Sequence, residues 1–308
     1  MPLTGMNELL TAARSGGYAL CYCESWNLES LQAVIEAAEE MRSPIIAGFN
    51  GGFLAHPSRS KPENLAYYAA WSRALQESSV PVSFLLNETD DFAQIEEGID
   101  LGFNAVMVES HSLGREEYRR LVERVVRLAH PRNVSVEAQV GRLPDGCEGG
   151  HPDGEITDAE VARTFVEATG IDALGVSIGN VHVLTRGRAT IDLTWLARIR
   201  EQVDIPLVIH GGTGFPPEYA RQVINLGVAK FNFGTNLKQA YLAALRKTLA
   251  PYAEPMNPHP FLGIGGKEDI LVAAREAVKQ KVMDLIRMYG CPGRPLSIQS
   301  AKTRSRNP

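Results

Sequence analysis

His182, His210 and Glu88 each stand where a short apolar run of this 308-residue chain gives way to polar residues. Two imidazole nitrogens and one carboxylate oxygen, carried on three different strands, make a donor set for zinc or another divalent ion with a position open to substrate. The stretch around His210 reads LVIHGGTG over Leu207–Gly214. An apolar strand that runs into a glycine-rich turn puts the histidine at its carboxyl edge and leaves backbone N–H groups free to face an anion. FNFGTN, at Phe231–Asn236, repeats that design with hydroxyls, exposed amides and the start of a helix, all suited to a phosphate. Alone, LVIHGGTG fits a structural histidine beside a tight turn equally well. Phosphate groups on two neighbouring strands with a metal toward the centre, however, describe a phosphorylated sugar held by its tail and its carbonyl.

The elements that would position these residues alternate along the chain. Apolar runs at Tyr18–Cys23, Ile45–Phe49, Val82–Leu86, Ala105–Val108, Val134–Ala138, Ala173–Ile178, Leu207–Ile209 and Val228–Phe233 read as strands. Helical spacing fills the gaps at Leu28–Met41, Pro62–Gln76, Asp91–Leu101, Arg115–Leu128, Asp158–Ala168, Leu193–Gln202, Pro217–Leu226 and Leu237–Leu249. Leu3–Arg14 precedes the series as a helix, and Glu268–Tyr289 adds another after it. Eight such units predict an α/β fold, a (β/α)8 TIM barrel with an extra C-terminal helix. Residues 1–290 are expected to form one domain, and 291–308 a polar tail ending in AKTRSRNP. Gly141–Gly154 is glycine-rich and polar, as an active-site lid would be.

Chemistry in this fold sits at the carboxyl ends of the strands. The polar residues there are Glu24, Asn50, Asn87 with Glu88, Glu109, Gln139, His182, His210, and Asn232 with Thr235, in strand order. A net charge of -5 gives no footprint for nucleic acid or an anionic membrane, so neither is an expected partner and any phosphate must be held locally. Of the four cysteines, Cys21, Cys23, Cys147 and Cys291, the first two share a strand face but lack a second paired motif and are expected to be buried thiols rather than a zinc site. No apolar run approaches about 18 residues and the amino terminus lacks a secretory pattern, which predicts a cytoplasmic protein.

At this point the chain resembles the class II, zinc-dependent ketose-bisphosphate aldolases, which include fructose- and tagatose-bisphosphate aldolases. GYAL, EEMRSPII, SVEAQVGRL, GVSIGNVH, LVIHGGTG and KFNFGTNLK carry the resemblance over nearly the whole chain, in the family's order. It implies a barrel, a divalent metal, most often zinc with Mn, Mg, Fe or Co as alternatives, and a homodimer or higher homo-oligomer. His182 and His210 match two zinc ligands, and Gly179, Gly211, Thr213, Asn232 and Thr235 match substrate and phosphate positions. Gly234 stands where alanine or aspartate is common, and Asn50 joins the expected substrate-binding set.

The departures cluster. Where the family ends its third strand with an aspartate–histidine pair, the aspartate handling a proton and the histidine ligating zinc, this chain has Asn87-Glu88. An amide does not exchange protons in the physiological range, so Asn87 cannot serve as general acid or base. Glu88 can ligate an ion, but an added carboxylate favours harder metals. The usual Glu-Ala-Glu is Glu137-Ala138-Gln139, the usual Ala-Phe-Asn is Tyr22-Cys23-Glu24, and Glu109 replaces a common aspartate. The reading is a metal-dependent aldolase-like lyase on a phosphorylated ketose or dihydroxyacetone-phosphate-type substrate, with Glu24, Glu88 or Glu109 as proton carrier and Asn87 at the reacting centre. An isomerase or epimerase on the same enediolate, and a non-catalytic sugar-phosphate binder, are the alternatives.

Overall fold

The computed structural model describes residues 3–109, 112–146 and 153–293. Eight parallel strands close into a barrel in sequence order: β1 (Leu20–Ser25), β2 (Ile45–Asn50), β3 (Val82–Thr89), β4 (Ala105–Val108), β5 (Ser135–Val140), β6 (Ala173–Val176), β7 (Leu207–Ile209) and β8 (Val228–Phe233). The expected TIM barrel is therefore present. Its strands read as continuous apolar runs because helices cover them outside and packed side chains fill them inside.

Helix α1 (Met6–Gly16) precedes β1, and α2 (Leu28–Glu40) follows it. Between β2 and β3 a short helix, α3 (Gly51–Leu54), follows β2 directly, and the single helix expected over Pro62–Gln76 is two short ones, α4 (Leu65–Ala69) and α5 (Ser72–Gln76). Asn50 and Asn64 cap α3 and α4 through a side-chain oxygen, while α5 restarts after Trp71 with no side-chain cap. The series continues with α6 (Phe92–Asp100), α7 (Arg115–Ala129), α8 (Ala159–Thr169), α9 (Leu193–Gln202), α10 (Ala220–Asn225), α11 (Thr235–Leu249) and α12 (Ile270–Tyr289). Asp91, Asp158 and Asp192 cap α6, α8 and α9 by accepting backbone N–H bonds.

Helix α1 closes the amino-terminal mouth of the barrel. Thr4 N donates to Val82 O, Asn7 N donates to Ser135 Oγ, and Met6, Leu9 and Leu10 are buried. The extra helix α12 lays Tyr289 against Phe231 and Phe233 of β8, with ring centroids 4.2 and 5.6 Å apart. Cys21 and Cys23 are buried thiols, as expected, Cys291 is also buried, and Cys147 lies outside the described residues. So do the middle of the expected lid and the AKTRSRNP tail. The described ends of that loop are pinned by paired backbone bonds between Arg142 and Glu155, at 2.9 and 2.8 Å. Among the described residues no helix is long and apolar enough to cross a membrane.

Asp269 ties the α11–α12 connection to the barrel's last helix. One oxygen accepts from Gly263 N at 2.8 Å and Gly265 N at 3.0 Å, and the other caps α12 through Leu271 N at 3.0 Å. Asp269→Ala should lower unfolding stability by about 1–2 kcal/mol, the usual cost of a lost cap. Asp269→Asn should recover most of it; chemical denaturation of the three proteins checks both.

Candidate active site

Parallel register sets the rim. Asn50 pairs with Asn87 across β2 and β3, and Tyr22 pairs with Asn232 across β1 and β8. Strand β3 runs three residues further than the apolar pattern indicates, so Asn87 and Glu88 lie inside its last turn of pleat rather than beyond it. Between Leu86 and Thr89 the β3–β4 register slips, and Glu88 sits at φ +53°. A bulge re-aims a side chain, and a left-handed glutamate costs about 1–3 kcal/mol that surrounding structure must hold in place. The result is that Glu88 Oε1 lies 3.9 Å from His182 Nε2 and 3.8 Å from His210 Nδ1.

One donor atom from each of Glu88, His182 and His210 falls within 4.8 Å of the others, a set able to hold a metal ion. Each histidine is backed by a carboxylate on its far side. His210 Nε2 lies 2.8 Å from Glu137 Oε1, and Lys230 Nζ donates to Glu137 Oε2 at 2.6 Å, all three side chains being fully buried. Burial pushes the Glu137 carboxyl up, but Lys230 and His210 outweigh it and hold the group below the usual carboxylate range. An ionised carboxylate only accepts, so His210 Nε2 carries the proton and Nδ1 presents a lone pair. That Nδ1 is buried and has no hydrogen-bond partner. An unfilled buried acceptor costs about 1–3 kcal/mol, and a cation facing Glu88 is what this one is shaped for. His182 Nδ1 faces Asp145 Oδ1 at 4.0 Å, while His182 N donates to Pro144 O at 2.8 Å.

The loops after β6 and β7 approach each other closely enough to exclude side chains. Gly179 has φ +100°, and a Cβ there would sit 1.9 Å from Thr190 O; Gly211 has φ +70°, and its Cβ would sit 2.1 Å from Val181 O. Both glycines thus have a structural reason beside the expected anion-binding one. Thr213 Oγ1 accepts from Asn236 N at 3.3 Å and joins the β7 turn to the start of α11, whose first residue is Thr235. Asn232 and Asn87 are buried, and neither carboxamide has a hydrogen-bond partner at oxygen or nitrogen.

A second group of charges lies beside Glu88. Asn50 Nδ2 donates to Glu88 Oε2 at 2.5 Å and reaches Glu24 Oε2 at 3.5 Å, so Asn50 bridges the two carboxylates. Lys238 Nζ pairs with Glu24 Oε1 and lies 4.5 Å from the Phe53 ring centroid. The Glu24 carboxylate lies beside Gly234, where an added Cβ would meet it at 3.4 Å, an ordinary contact distance. Burial pushes the Glu24 carboxyl above its ordinary value despite Lys238. Burial acts on Glu88 too, but neighbouring positive charge, that of His182 foremost, overcomes it and holds Glu88 low. Glu109 reaches the rim from β4 and accepts from Gln139 Nε2 at 3.4 Å.

Sequence reasoning brought Glu88, His182 and His210 together correctly but missed Lys230, Lys238 and Asp145. A lysine in the middle of the apolar run VAKFNF was the available signal, because a lysine on a buried strand needs a buried partner.

Two outcomes are expected for metal binding, read by competition with a chelating dye. Glu137→Gln should weaken affinity by about 10- to 100-fold through loss of the carboxylate behind His210. Burial lowers the proton affinity of His182, yet Glu88, Glu109 and Asp145 raise it above the ordinary 6.5. A protonated imidazole cannot ligate, so metal affinity should fall as pH is lowered through a value above 6.5. A flat profile across the neutral range would contradict this.

Comparison with known proteins gives a consistent frame. The family model "Fructose-bisphosphate aldolase class-II" matches residues 4–294. A fructose-bisphosphate aldolase of Thermus caldophilus is 34% identical, aligned over 96% of this chain and 100% of its own length. The crystal structure of the YdjI aldolase from Escherichia coli K12 superposes with a TM-score of 0.76 at 28% identity, covering 94% of this chain and 98% of that one. A putative fructose-1,6-bisphosphate aldolase from Coccidioides immitis gives 0.77 at 28% identity, with 92% and 96% covered.

Proposed function

Because the chain belongs to the class II fructose-bisphosphate aldolase family, we propose that it works as a metal-dependent aldolase-like lyase. It joins a dihydroxyacetone-phosphate-type ketone to an aldehyde, or splits the corresponding phosphorylated ketose, through an enediolate. The observation that carries this reading is the convergence of Glu88, His182 and His210 at the carboxyl rim, beside the glycine-rich turns after β6 and β7.

These three side chains would hold the ion. Zinc suits two imidazoles and a carboxylate, and Mn, Mg, Fe and Co are the ions to compare with it. When bound, a divalent ion supplies Lewis-acid polarisation of the ketone carbonyl. The chain supplies the rest. The amides around Gly179 and Gly211, the hydroxyls of Thr213 and Thr235 and the amino-terminal end of α11 receive the phosphate. The unpartnered carboxamides of Asn87 and Asn232 are placed to meet substrate hydroxyl or carbonyl oxygens.

Asn87 moves no proton, and the positive charge around Glu88 holds it ionised. Glu24 is the group whose environment pushes the other way. Two carboxyls driven apart by their surroundings divide the work: Glu88 ligates, and Glu24 takes the proton from the carbon beside the carbonyl. The resulting enediolate carbon attacks the aldehyde carbon, and the new alkoxide takes up a proton. Glu109 is the second candidate for that last transfer. A homodimer or higher homo-oligomer is the assembly expected from the resemblance.

A coupled assay with dihydroxyacetone phosphate and glyceraldehyde 3-phosphate should yield a carbon–carbon-bonded product, and chelator should abolish it. Glu24→Gln should lower kcat by about 10²- to 10⁴-fold with the ketone KM little changed. Solvent deuterium entering the ketone without any condensation product, for any aldehyde offered, would replace this reading with an isomerase or epimerase.

A further inference from the structure

A cavity of about 410 Å³ opens beside the reaction centre, between the ends of β4 and β5 and helices α7 and α8. That volume lies in the range of small-molecule sites, roughly 300–1,000 Å³. Glu109 and Gln139 form its inner end. Glu109 N donates to Thr89 O, the residue after Glu88, at 3.4 Å, and Gln139 Nε2 bonds Glu109 Oε1 at the same distance. The cavity therefore begins at the rim that carries the metal-binding cluster. Gln139 is 7% exposed, and its Oε1 has no hydrogen-bond partner.

The walls mix aromatic and aliphatic side chains with five charged ones. Tyr118 and Phe165 line it with rings stacked at 5.7 Å and 13°. Leu113, Ile156 and Val161 stand at its mouth, 37%, 41% and 39% exposed. Three large aliphatic side chains left in water around one opening make a surface that gains by being covered. The charges there do not favour an anion. Arg115 is paired to Glu155, and the two lining arginines, Arg115 and Arg142, face three carboxylates, Glu109, Glu155 and Asp158. A phosphate would meet net negative charge.

We infer that this cavity receives the variable end of the aldehyde partner and selects an uncharged aldehyde with an aliphatic or aromatic chain over a phosphorylated one. The inference rests on the aldolase reading and narrows it, since it makes the condensed product a monophosphate rather than a bisphosphate. Gln139 Oε1 offers an acceptor to a hydroxyl at the inner end, and the chain beyond it lies against Phe165, Ile156 and Val161.

The test is the ratio of kcat/KM for hexanal to that for glyceraldehyde 3-phosphate, each condensed with dihydroxyacetone phosphate by the metal-loaded enzyme. The wild type should favour hexanal, and Val161→Asp, and separately Ile156→Asp, should cut the ratio about tenfold, as apolar pocket contacts do. Because it is a ratio, a partly unfolded variant does not move it. A wild-type preference for glyceraldehyde 3-phosphate, or a ratio untouched in both variants, overturns the assignment. If no aldehyde condenses, the aldolase reading fails, and the cavity is tested alone with hexanamide by ligand-observed NMR. Binding by the wild type that Val161→Asp abolishes upholds the apolar site, and absence of binding overturns it.

Discussion

Inside the barrel a lysine, a glutamate and a histidine form one chain of charge-assisted hydrogen bonds, from Lys230 on β8 through Glu137 on β5 to His210 at the end of β7. None of the three is exposed. Burying such charges is costly unless each is paired, and removing one leaves the others uncompensated. The pair is therefore poor evidence of stability for its own sake. Its consequence is directional: it fixes the imidazole ring and its proton, and so turns one buried nitrogen, with no partner of its own, toward Glu88. Strands from three parts of the barrel must be in register for this chain to close.

Around that fixed point the rest of the rim divides by charge. Glu88 is brought in by a bulge and a left-handed backbone, and the positive charge around it keeps it ionised. Glu24 lies one asparagine away yet is pushed toward the neutral form by burial. Gly211 lets the turn after β7 touch Val181 in the loop after β6, and Gly179 lets that loop fold back against Thr190.

The barrel was legible because eight apolar runs alternate with amphipathic helices and each strand is covered on both sides. The β2–β3 connection was not, since the stretch that reads as one helix over Pro62–Gln76 breaks at Ala70–Trp71 into two, with no side-chain cap to mark the restart. His182, His210 and Glu88 were legible as strand-end residues of ligand type. What spacing could not supply was direction. Alternation along β3 carries no sign of the slip at Asn87–Glu88 that aims the carboxylate, nor of the bridge that Asn50 makes between Glu24 and Glu88. Lys230 and Lys238 went unread because their partners, Glu137 and Glu24, lie 93 and 214 residues away along the chain.

The account's central claim is that Glu88, standing where the family carries a histidine, completes a metal site with His182 and His210. Elemental analysis of the purified wild type and of Glu88→Ala, prepared side by side, tests it most directly. The account predicts close to one divalent ion per chain in the wild type and its loss in the variant. Equal metal content in the two proteins, or none in either after incubation with zinc or manganese, would contradict it.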